Sequence, residues 1–191
     1  MSGYDVSNGN DWSQIEQITG YFTQSEALAM QCLVKQLSPK STVVELGSFQ
    51  GRSSVVIASA LPPDSILYCI DHFQVPTFNP ADVLASFKNN IDKSHVADQI
   101  RLLVMETCKA AEHFQQESID LLFIDASHDC ESVKADIFHW YPKLKTGGFL
   151  VCHDYTYADW PGVAEAIKVL QLEGTLIGGS LWLHNKNKQQ F

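Results

Sequence analysis

The sequence is poor in arginine and has no stretch rich in positive charge. Arg52 and Arg101 are its only arginines, the formal net charge is −9, and the isoelectric point is near 5.1. A surface that binds a polyanion needs clustered cations, because neutralising phosphates supplies most of the affinity. We therefore expect neither nucleic acid nor an anionic membrane as a partner.

Paired cysteines and long apolar runs are also missing. Five cysteines are scattered along the chain without a Cys-x-x-Cys pair, which argues against a zinc knuckle or a redox dithiol. No apolar run approaches the length of a membrane span, and the first residues lack the basic and apolar stretches of a secretory signal. We expect a protein of a reducing, cytoplasmic compartment.

The size of the chain favours one domain. A length of 191 residues, of which 45% are hydrophobic, suits a single α/β domain with a sizeable core but not two. Residues 1–20 are polar, and we interpret them as a loose N-terminal lead-in to a domain over residues 21–191. Helical spacing then predicts a helix from Thr23 to Leu37, with Thr23 and Glu26 forming a capping box.

Short apolar runs alternate with helical patterns along the rest of the chain. The runs lie near 42–47, 66–71, 100–105, 119–125 and 148–153, and the helical patterns near 51–60, 80–93, 109–116, 131–144 and 161–171. This alternation predicts a doubly wound parallel sheet covered on both faces. Residues 175–177 and 181–184 flank Gly178-Gly179-Ser180, which predicts a hairpin, so an antiparallel strand should end the sheet.

The first strand leads into a glycine-containing turn. The sequence there is Glu45-Leu46-Gly47-Ser48-Phe49-Gln50-Gly51-Arg52-Ser53. Gly47 permits a sharp turn, Gly51 lets the next helix begin close to a ligand, and Ser53 with the helix N–H groups can face a carboxylate. Any strand-to-helix turn could use such glycines, but the acidic Glu45 within the strand favours a nucleotide-type ligand.

Two other nucleotide motifs do not fit this turn. Phe49 and Arg52 stand where the dinucleotide fingerprint needs its second and third glycines, so NAD is disfavoured, and no Gly-Lys-Ser/Thr follows to make a P-loop. The second strand ends at Asp71, whose carboxylate can accept hydrogen bonds from both ribose hydroxyls. An acidic residue at that place can equally cap a loop.

Acidic residues and histidines follow the fourth and fifth strands. Asp125 and His128 come after the fourth strand, and His153 and Asp154 end the fifth. Two carboxylates and an imidazole suit a divalent cation together with a general base. The alternative is that the aspartates cap loops and the histidines form local hydrogen bonds.

At these residues the chain resembles a known family. The similar segments are Glu45–Ser53, Phe123–His128, Val133–Ile137, Trp140, Leu144–Gly148, His153–Tyr155 and Pro161–Val163. Together they resemble small class I S-adenosylmethionine-dependent methyltransferases, the subfamily grouped with macrolide-sugar O-methyltransferases and cephalosporin-hydroxylase-like proteins. The resemblance runs from about residue 20 to the end. It implies a Rossmann-like, seven-stranded, mostly parallel sheet with one antiparallel strand near the C-terminal edge.

The resemblance also implies which residues bind the cofactor. The methionine part of S-adenosylmethionine would contact the first turn, and the ribose and adenine would contact the ends of the second and third strands. Asp125 would lie beside the cofactor as well. The implied cofactor residues are Glu45, Gly47, Ser48, Gly51, Ser53, Asp71, His72, Glu106, Thr107 and Asp125.

Metal and acceptor chemistry follow from the same resemblance. Asp125 and Asp154 would bind Mg²⁺, and His153 occupies a place where relatives carry a further acidic ligand. His128 matches the position of a general base. Methyl transfer is an in-line displacement, so the enzyme mainly aligns the reactants and supplies a deprotonated acceptor.

Three functions remain open from the sequence. The first is an O-methyltransferase for a small hydroxylated acceptor that is sugar- or catechol-like, in a chain that can form a homodimer as many small relatives do. The second is a non-catalytic protein of the same fold that binds the cofactor or takes part in an assembly. The third is a nicotinamide oxidoreductase, against which Phe49 and Arg52 argue. Loss of methyl transfer on replacing Asp125 or His128 would separate the first from the second.

Overall fold

A computed structural model describes residues 11–187 and shows one mixed sheet. Its strands are β1 Thr42–Leu46, β2 Ile66–Ile70, β3 Ile100–Leu103, β4 Ile119–Ile124, β5 Leu144–Cys152, β6 Thr175–Ile177 and β7 Leu181–Asn185. They lie in the order β3-β2-β1-β4-β5-β7-β6, and β7 runs antiparallel to both of its neighbours. The predicted doubly wound sheet is confirmed, with the antiparallel strand one place in from the edge.

Helices cover both faces of the sheet. They are α1 Trp12–Ile15, α2 Gln24–Val34, α3 Arg52–Ala60, α4 Pro80–Lys93, α5 Thr107–Ala110, α6 Cys130–Trp140 and α7 Pro161–Val169. Neighbouring residues of β1 show the two layers, since Val43 packs in the core under α2, α3 and α4 and Val44 in the core under α6 and α7. A strand that is buried on both faces has a continuous run of apolar residues in its sequence. None of the helices in residues 11–187 is both long and apolar enough to cross a membrane.

The start of α2 follows the predicted capping box. The Thr23 N–H donates to Glu26 Oε2 at 2.8 Å, and the Glu26 N–H donates to Thr23 Oγ1 at 3.4 Å. These bonds satisfy two N–H groups that lack partners within the helix. The prediction of this cap is confirmed.

Several predicted helices are shorter than expected, most of all the two that follow the third and fourth strands, and one strand is longer. The pattern over 109–116 becomes the single turn of α5 and a short 3₁₀ turn, and α6 ends at Trp140 before Pro142. Proline has no N–H to donate and ends the helical ladder. β5 begins at Leu144 because its pairing with β4 continues across Gly147-Gly148 with a shift in register. The glycines made the apolar run look as if it began later.

The part of the lead-in that the structure describes is packed on the domain. Ile15 and Ile18 are buried in the core formed with α2 and α3. The guanidinium of Arg52 donates to the carbonyl oxygens of Ile18 at 2.6 Å, Glu16 at 2.9 Å and Phe22 at 3.2 Å. The prediction of a loose lead-in is therefore wrong for residues 11–20, whereas residues 1–10 lie outside the described range. Two isoleucines in a polar segment were enough to anchor it.

Candidate functional site

Three strand ends meet where the order of the sheet reverses between β1 and β4. The Asp125 N–H donates to the Leu46 carbonyl at 2.8 Å, and the His153 N–H donates to the Ile124 carbonyl at 3.0 Å. These bonds place the residues after β1, β4 and β5 side by side. In doubly wound sheets a ligand binds outside the carboxyl ends of the strands at this switch point.

Close packing explains the two glycines of the first turn. Gly47 has a φ of 83°, and a Cβ there would lie 2.1 Å from the carbonyl oxygen of Asp125. Gly51 precedes α3 with a φ of 91°, and a Cβ there would meet Phe87 and Ile91 of α4. Both positions favour glycine through their positive φ. The space at Gly51 is thus filled by α4.

Glu45 lies fully buried beneath the turn. Its carboxylate accepts hydrogen bonds from the hydroxyls of Ser48 at 2.8 Å, Ser53 at 2.6 Å and Ser54. Burial raises the pKa of Glu45 to about 6, and the three hydrogen bonds oppose that rise. The side chains of Glu45, Ser48 and Ser53 therefore brace the turn from below. This corrects the prediction that the Ser53 hydroxyl faces a cofactor carboxylate, because that hydroxyl donates to Glu45.

Asp71 links the end of β2 to the same turn. Its Oδ2 accepts from the N–H groups of Ser48 at 2.9 Å and Phe49 at 2.8 Å, and its Oδ1 accepts from Phe73 at 2.6 Å. A carboxylate has lone pairs for further donors, so a ribose contact remains a prediction. His72 is exposed and accepts at Nδ1 from the Gln74 N–H at 2.9 Å, so this nitrogen already has a partner within the loop.

The segment after β3 is held by a buried acid that the sequence did not single out. Thr107 Oγ1 donates to Asp136 Oδ1 at 2.5 Å, and Trp140 Nε1 donates to the Thr107 carbonyl at 3.1 Å. Burial raises the pKa of Asp136. Glu106 is exposed just before α5. The sequence signal that could have revealed this contact is Asp136 itself, an acidic residue among the inward-facing positions of α6.

The four polar residues after β4 and β5 form one cluster, as the sequence predicted. His128 Nε2 lies 2.8 Å from Asp154 Oδ2 and 3.9 Å from Asp125 Oδ1. His153 Nδ1 lies 3.0 Å from Asp125 Oδ1 and 3.4 Å from Asp154 Oδ2. Asp154 has a φ of 58°, a left-handed conformation that aspartate tolerates. That turn lets two consecutive side chains reach the same carboxylate–imidazole cluster.

Opposite charges set the protonation of this cluster. Burial disfavours a charged His128, but hydrogen bonds and charges from Asp125 and Asp154 outweigh it and raise its pKa to about 9. The pKa of His153 is raised well above its usual value against the same effect of burial. Both imidazoles hold the pKa of Asp154 far below its usual range, although burial acts to raise it. The cluster is therefore a set of alternating positive and negative groups.

Three members of the cluster are placed to share a cation. Asp125, His128 and Asp154 each offer a donor atom, and these atoms lie within 4.8 Å of one another. Two carboxylates and an imidazole fit a divalent ion: the oxygens suit Mg²⁺, and the nitrogen is also suited to Mn²⁺ or Zn²⁺. The His153 side chain is only 2% exposed, and its Nδ1 already contacts both carboxylates. The structure thus gives His153 a supporting role in place of the predicted ligand role.

Glu26 joins this cluster from α2, which the sequence did not indicate. Its Oε1 accepts from Ser180 Oγ at 2.5 Å and lies 3.3 Å from His153 Nε2. The latter contact is an ion-pair distance without hydrogen-bond geometry. Burial raises the pKa of Glu26, but its partners His153, Ser180 and Thr23 outweigh burial and lower that pKa to about 2. The capping box already accounts for an acidic residue at position 26, so nothing in the sequence indicated that Glu26 also contacts His153.

Trp160 flanks the exposed side of the cluster. Its ring stacks on His128 with the centroids 4.6 Å apart and the planes inclined by 29°. Trp160 is 46% exposed, so it lies next to His128 at the surface.

A family comparison gives the class of the domain. Residues 44–155, more than half of the chain, match a family described as a methyltransferase domain. The chain belongs to this family. The match begins in β1 and ends at Tyr155, so it includes the glycine turn, Asp71 and the acid–imidazole cluster.

Two curated proteins are similar to the domain over part of their length. A catechol O-methyltransferase from Niastella koreensis is 25% identical over 130 residues, which are 66% of this chain and 54% of that protein. An uncharacterised protein from Sinorhizobium fredii is 28% identical over 64% of this chain, which is 14% of its own length. The chain therefore spans about half, or less, of these relatives.

Solved structures confirm the fold of the domain. The O-methyltransferase from Bacillus cereus in complex with S-adenosylhomocysteine superposes with a TM-score of 0.69 and 16% identity, covering 95% of this chain and 94% of that one. A second similar structure is TomG, an O-methyltransferase of tomaymycin synthesis from Streptomyces achromogenes, in complex with S-adenosylmethionine. Its TM-score is 0.67 and its sequence identity is 15%, and the match covers 94% of this chain and 92% of TomG. Similarity at such low identity establishes the class I fold alone.

Proposed function

We propose that the protein transfers the methyl group of S-adenosylmethionine to a hydroxyl oxygen of a small sugar- or catechol-like acceptor. The observation that carries this proposal is the cluster of Asp125, His128 and Asp154 at the ends of β4 and β5, beside the glycine turn of β1. Membership of the methyltransferase-domain family supports it. So does the partial similarity to a catechol O-methyltransferase.

The turn after β1 would receive the amino-acid part of the cofactor. The backbone of this turn is held by Asp71 through Ser48 and Phe49, and α3 begins directly after it. N–H groups at a helix start bind carboxylates, since they lack partners within the helix and lie at its positive end. The cofactor would thus meet a preformed backbone rather than the serine hydroxyls.

His128 is the proposed base for the acceptor hydroxyl. As the oxygen–methyl bond forms and the sulfur–methyl bond breaks, the hydroxyl proton passes to His128 Nε2 and S-adenosylhomocysteine is released. Asp154 and Trp160 orient the imidazole ring. The pKa of about 9 keeps His128 charged near neutral pH. Neutralising the charges of Asp125 and Asp154 would lower this pKa. We therefore expect His128 to act as a base only when those two carboxylates are neutralised.

Asp125 and Asp154 are the residues that would hold a divalent cation. Such an ion would supply Lewis acidity and would lower the pKa of the acceptor hydroxyl that is methylated. The chain's own residues would then place the acceptor between the cation, His128 and the cofactor. Alignment of this kind is the main contribution an enzyme makes to an in-line displacement.

The test compares two histidine variants in methyl transfer. We expect His128→Ala to lower kcat for catechol and glycoside acceptors by about 10²- to 10⁴-fold with Mg²⁺ or Mn²⁺ present. Its affinity for S-adenosylmethionine in calorimetry should stay within about twofold, because His128 contacts the acceptor. His139→Ala is the matched control, since His139 is exposed on α6 and contacts Phe138.

Three results would contradict the proposal or its assignment of the base. Absence of cofactor binding, with no co-purified cofactor in a denatured-sample mass spectrum, would remove its basis. Cofactor binding without transfer to any acceptor would favour the non-catalytic protein instead. Equal activity of the two histidine variants would show that another group accepts the proton.

A further inference from the structure

The loops around the proposed active site contain no lysine or arginine. We define the acceptor face as three groups of residues. They are the loops at the carboxyl ends of β1 to β5 (47–51, 71–79, 104–106, 125–129 and 153–160), the β6–β7 turn 178–180, and the lead-in 11–23. The lead-in belongs to this face because Phe22 packs against His153 at 5.5 Å. The charged side chains of the acceptor face, apart from histidines, are all acidic: Asp11, Glu16, Asp71, Glu106, Asp125, Asp129, Asp154 and Asp159.

Three cations border the acceptor face, and each lies on a helix that follows one of its loops. Arg52, the first residue of α3, uses Nε and both terminal nitrogens on carbonyl oxygens of the lead-in. Lys134 of α6 pairs with Glu131 at 2.9 Å. Lys109 lies on α5, which packs on α6 through Thr107. Among the described residues, none of these three cations forms an ion pair with Asp125 or Asp154 beside His128.

Backbone N–H groups at the starts of helices are a further source of positive potential, and those of α3 lie at the cofactor turn. The N–H groups before and within the first turn of α3 point to the carboxyl ends of the strands. In the proposed function these groups bind the carboxylate of the cofactor. They are therefore occupied when the acceptor enters.

Exposed aromatic side chains accompany the acidic ones. Trp160 stacks on His128 and is half exposed, as is Tyr157 in the same loop. Phe78, on the loop after β2, is also exposed and packs edge-on against Phe49. Aromatic faces bind rings and organic cations through their negative quadrupole, and they repel anions that approach the face.

We infer that the acceptor site selects neutral or cationic hydroxylated aromatic molecules and rejects anionic ones. This inference rests on the proposed methyl transfer at His128. A phosphorylated, nucleotide-linked or carboxylate-bearing acceptor would enter a face whose eight acidic side chains outnumber its three histidines and the neighbouring Arg52. An ammonium group would be attracted by the same acids and by the aromatic faces.

The test uses three catechols that differ in the charge of one side chain. They are 2-(3,4-dihydroxyphenyl)ethylamine, 2-(3,4-dihydroxyphenyl)ethanol and 3,4-dihydroxyphenylacetate. Calorimetry with the full chain, saturated with S-adenosylhomocysteine and Mg²⁺, measures their binding without turnover. We expect the amine and the alcohol to bind at least about tenfold more tightly than the acetate at low ionic strength. The difference between amine and acetate should shrink in about 0.5 M salt, because salt screens exposed charges.

A pair of charge-reversal variants assigns the effect to the acceptor face. Asp159→Lys places a cation beside Trp160 and should lower the amine-to-acetate affinity ratio several-fold. Asp98→Lys makes the same change in net charge before β3, at the amino end of the strands, and should leave the ratio unchanged. Asp159 and Asp98 are both exposed, so neither change disturbs the core.

The outcomes separate this inference from the proposed function. Charge-selective binding without methyl transfer would contradict the proposed function and leave the selectivity intact. Methyl transfer with equal affinity for amine and acetate would overturn the inference alone. Failure of all three catechols to bind, or an equal change of the ratio in Asp98→Lys, would also overturn it.

Discussion

Gly47 and Gly147 share an unusual backbone conformation but differ in their surroundings. Their φ angles are 83° and 84°. A Cβ at Gly47 would collide with the Asp125 carbonyl, whereas a Cβ at Gly147 would meet nothing within 4 Å. The pair therefore separates the cost of a positive φ from the cost of a close approach between backbones.

We expect alanine to be costlier at Gly47 than at Gly147. Gly147→Ala should lower the free energy of unfolding by about 1–2 kcal/mol, which is the usual penalty of left-handed backbone. Gly47→Ala adds a clash with backbone atoms that cannot move easily. It should therefore lower the free energy of unfolding by at least about twice as much as Gly147→Ala does. Urea denaturation measures both variants. Equal losses would show that β4 shifts to make room.

Glu45 predicts a particular dependence of stability on pH. Its pKa is about 6 in the folded protein, above its ordinary value of 4.5, so the folded state binds more protons between these two pH values. The stabilisation from the protonated carboxyl is complete below about pH 4.5 and is lost as the pH rises through 6. The corresponding change in the free energy of unfolding is roughly 2 kcal/mol.

The isosteric variant Glu45→Gln tests this dependence. Glutamine keeps the shape but does not become charged in the core. Its free energy of unfolding, relative to the natural protein, should therefore rise by roughly 2 kcal/mol between pH 4.5 and pH 7.5. Denaturation at the two pH values measures the change. A difference that is independent of pH would mean that Glu45 does not titrate in this range.

Single residues divide into those that sequence patterns could assign and those they could not. The patterns placed Asp125, His128 and Asp154 at strand ends because strand ends are visible from local periodicity. They could not show that Ser53 donates to Glu45 instead of a ligand. That choice depends on which way a helix start faces the strand beneath it.

At the scale of secondary-structure elements, Arg52 holds the lead-in against α3. Its three hydrogen bonds reach backbone carbonyls of residues 16–22. We expect Arg52→Gln to release this segment while the sheet remains intact. Amide hydrogen exchange of residues 12–22 should accelerate by about tenfold or more, with a smaller change in β1 and β4.

Arg101→Gln provides the control for this prediction. Arg101 donates to the carbonyls of Asp98 and Ile100 at the start of β3, away from the lead-in. Its replacement should leave exchange in residues 12–22 unchanged. If both variants open the lead-in equally, the effect comes from lost charge and not from the contacts of Arg52.

Elements with strong local signals were predicted closely. α4 spans Pro80–Lys93, where Asn79 caps the helix and Pro80 fills its first position, both visible in the sequence. α5 was predicted too long because its single turn ends in a 3₁₀ turn at Ala111–His113. Such short turns depend on packing against α6, through Thr107 and Asp136, and propensity over a few residues does not determine them.

At the scale of the whole molecule, cofactor binding should stabilise the fold by mass action. S-adenosylmethionine at about 100 times its dissociation constant adds about 2.7 kcal/mol, and a domain of this size gains roughly 2–4 °C per kcal/mol. We therefore expect the Tm to rise by roughly 5–10 °C. NADH at the same concentration should leave the Tm unchanged. A shift with NADH alone would point to the oxidoreductase that the turn after β1 argues against.

The sequence by itself determined the order of the elements and the strand ends that carry polar chemistry. Both follow from local periodicity and from turn residues, which act over a few positions along the chain. Only the tertiary structure decided which polar groups meet. Glu26 contacts Ser180, which lies 154 positions later, and the lead-in carbonyls meet Arg52. Such partners are chosen when packed layers bring distant segments together, because a buried polar group must then be paired with whatever donor or acceptor lies opposite.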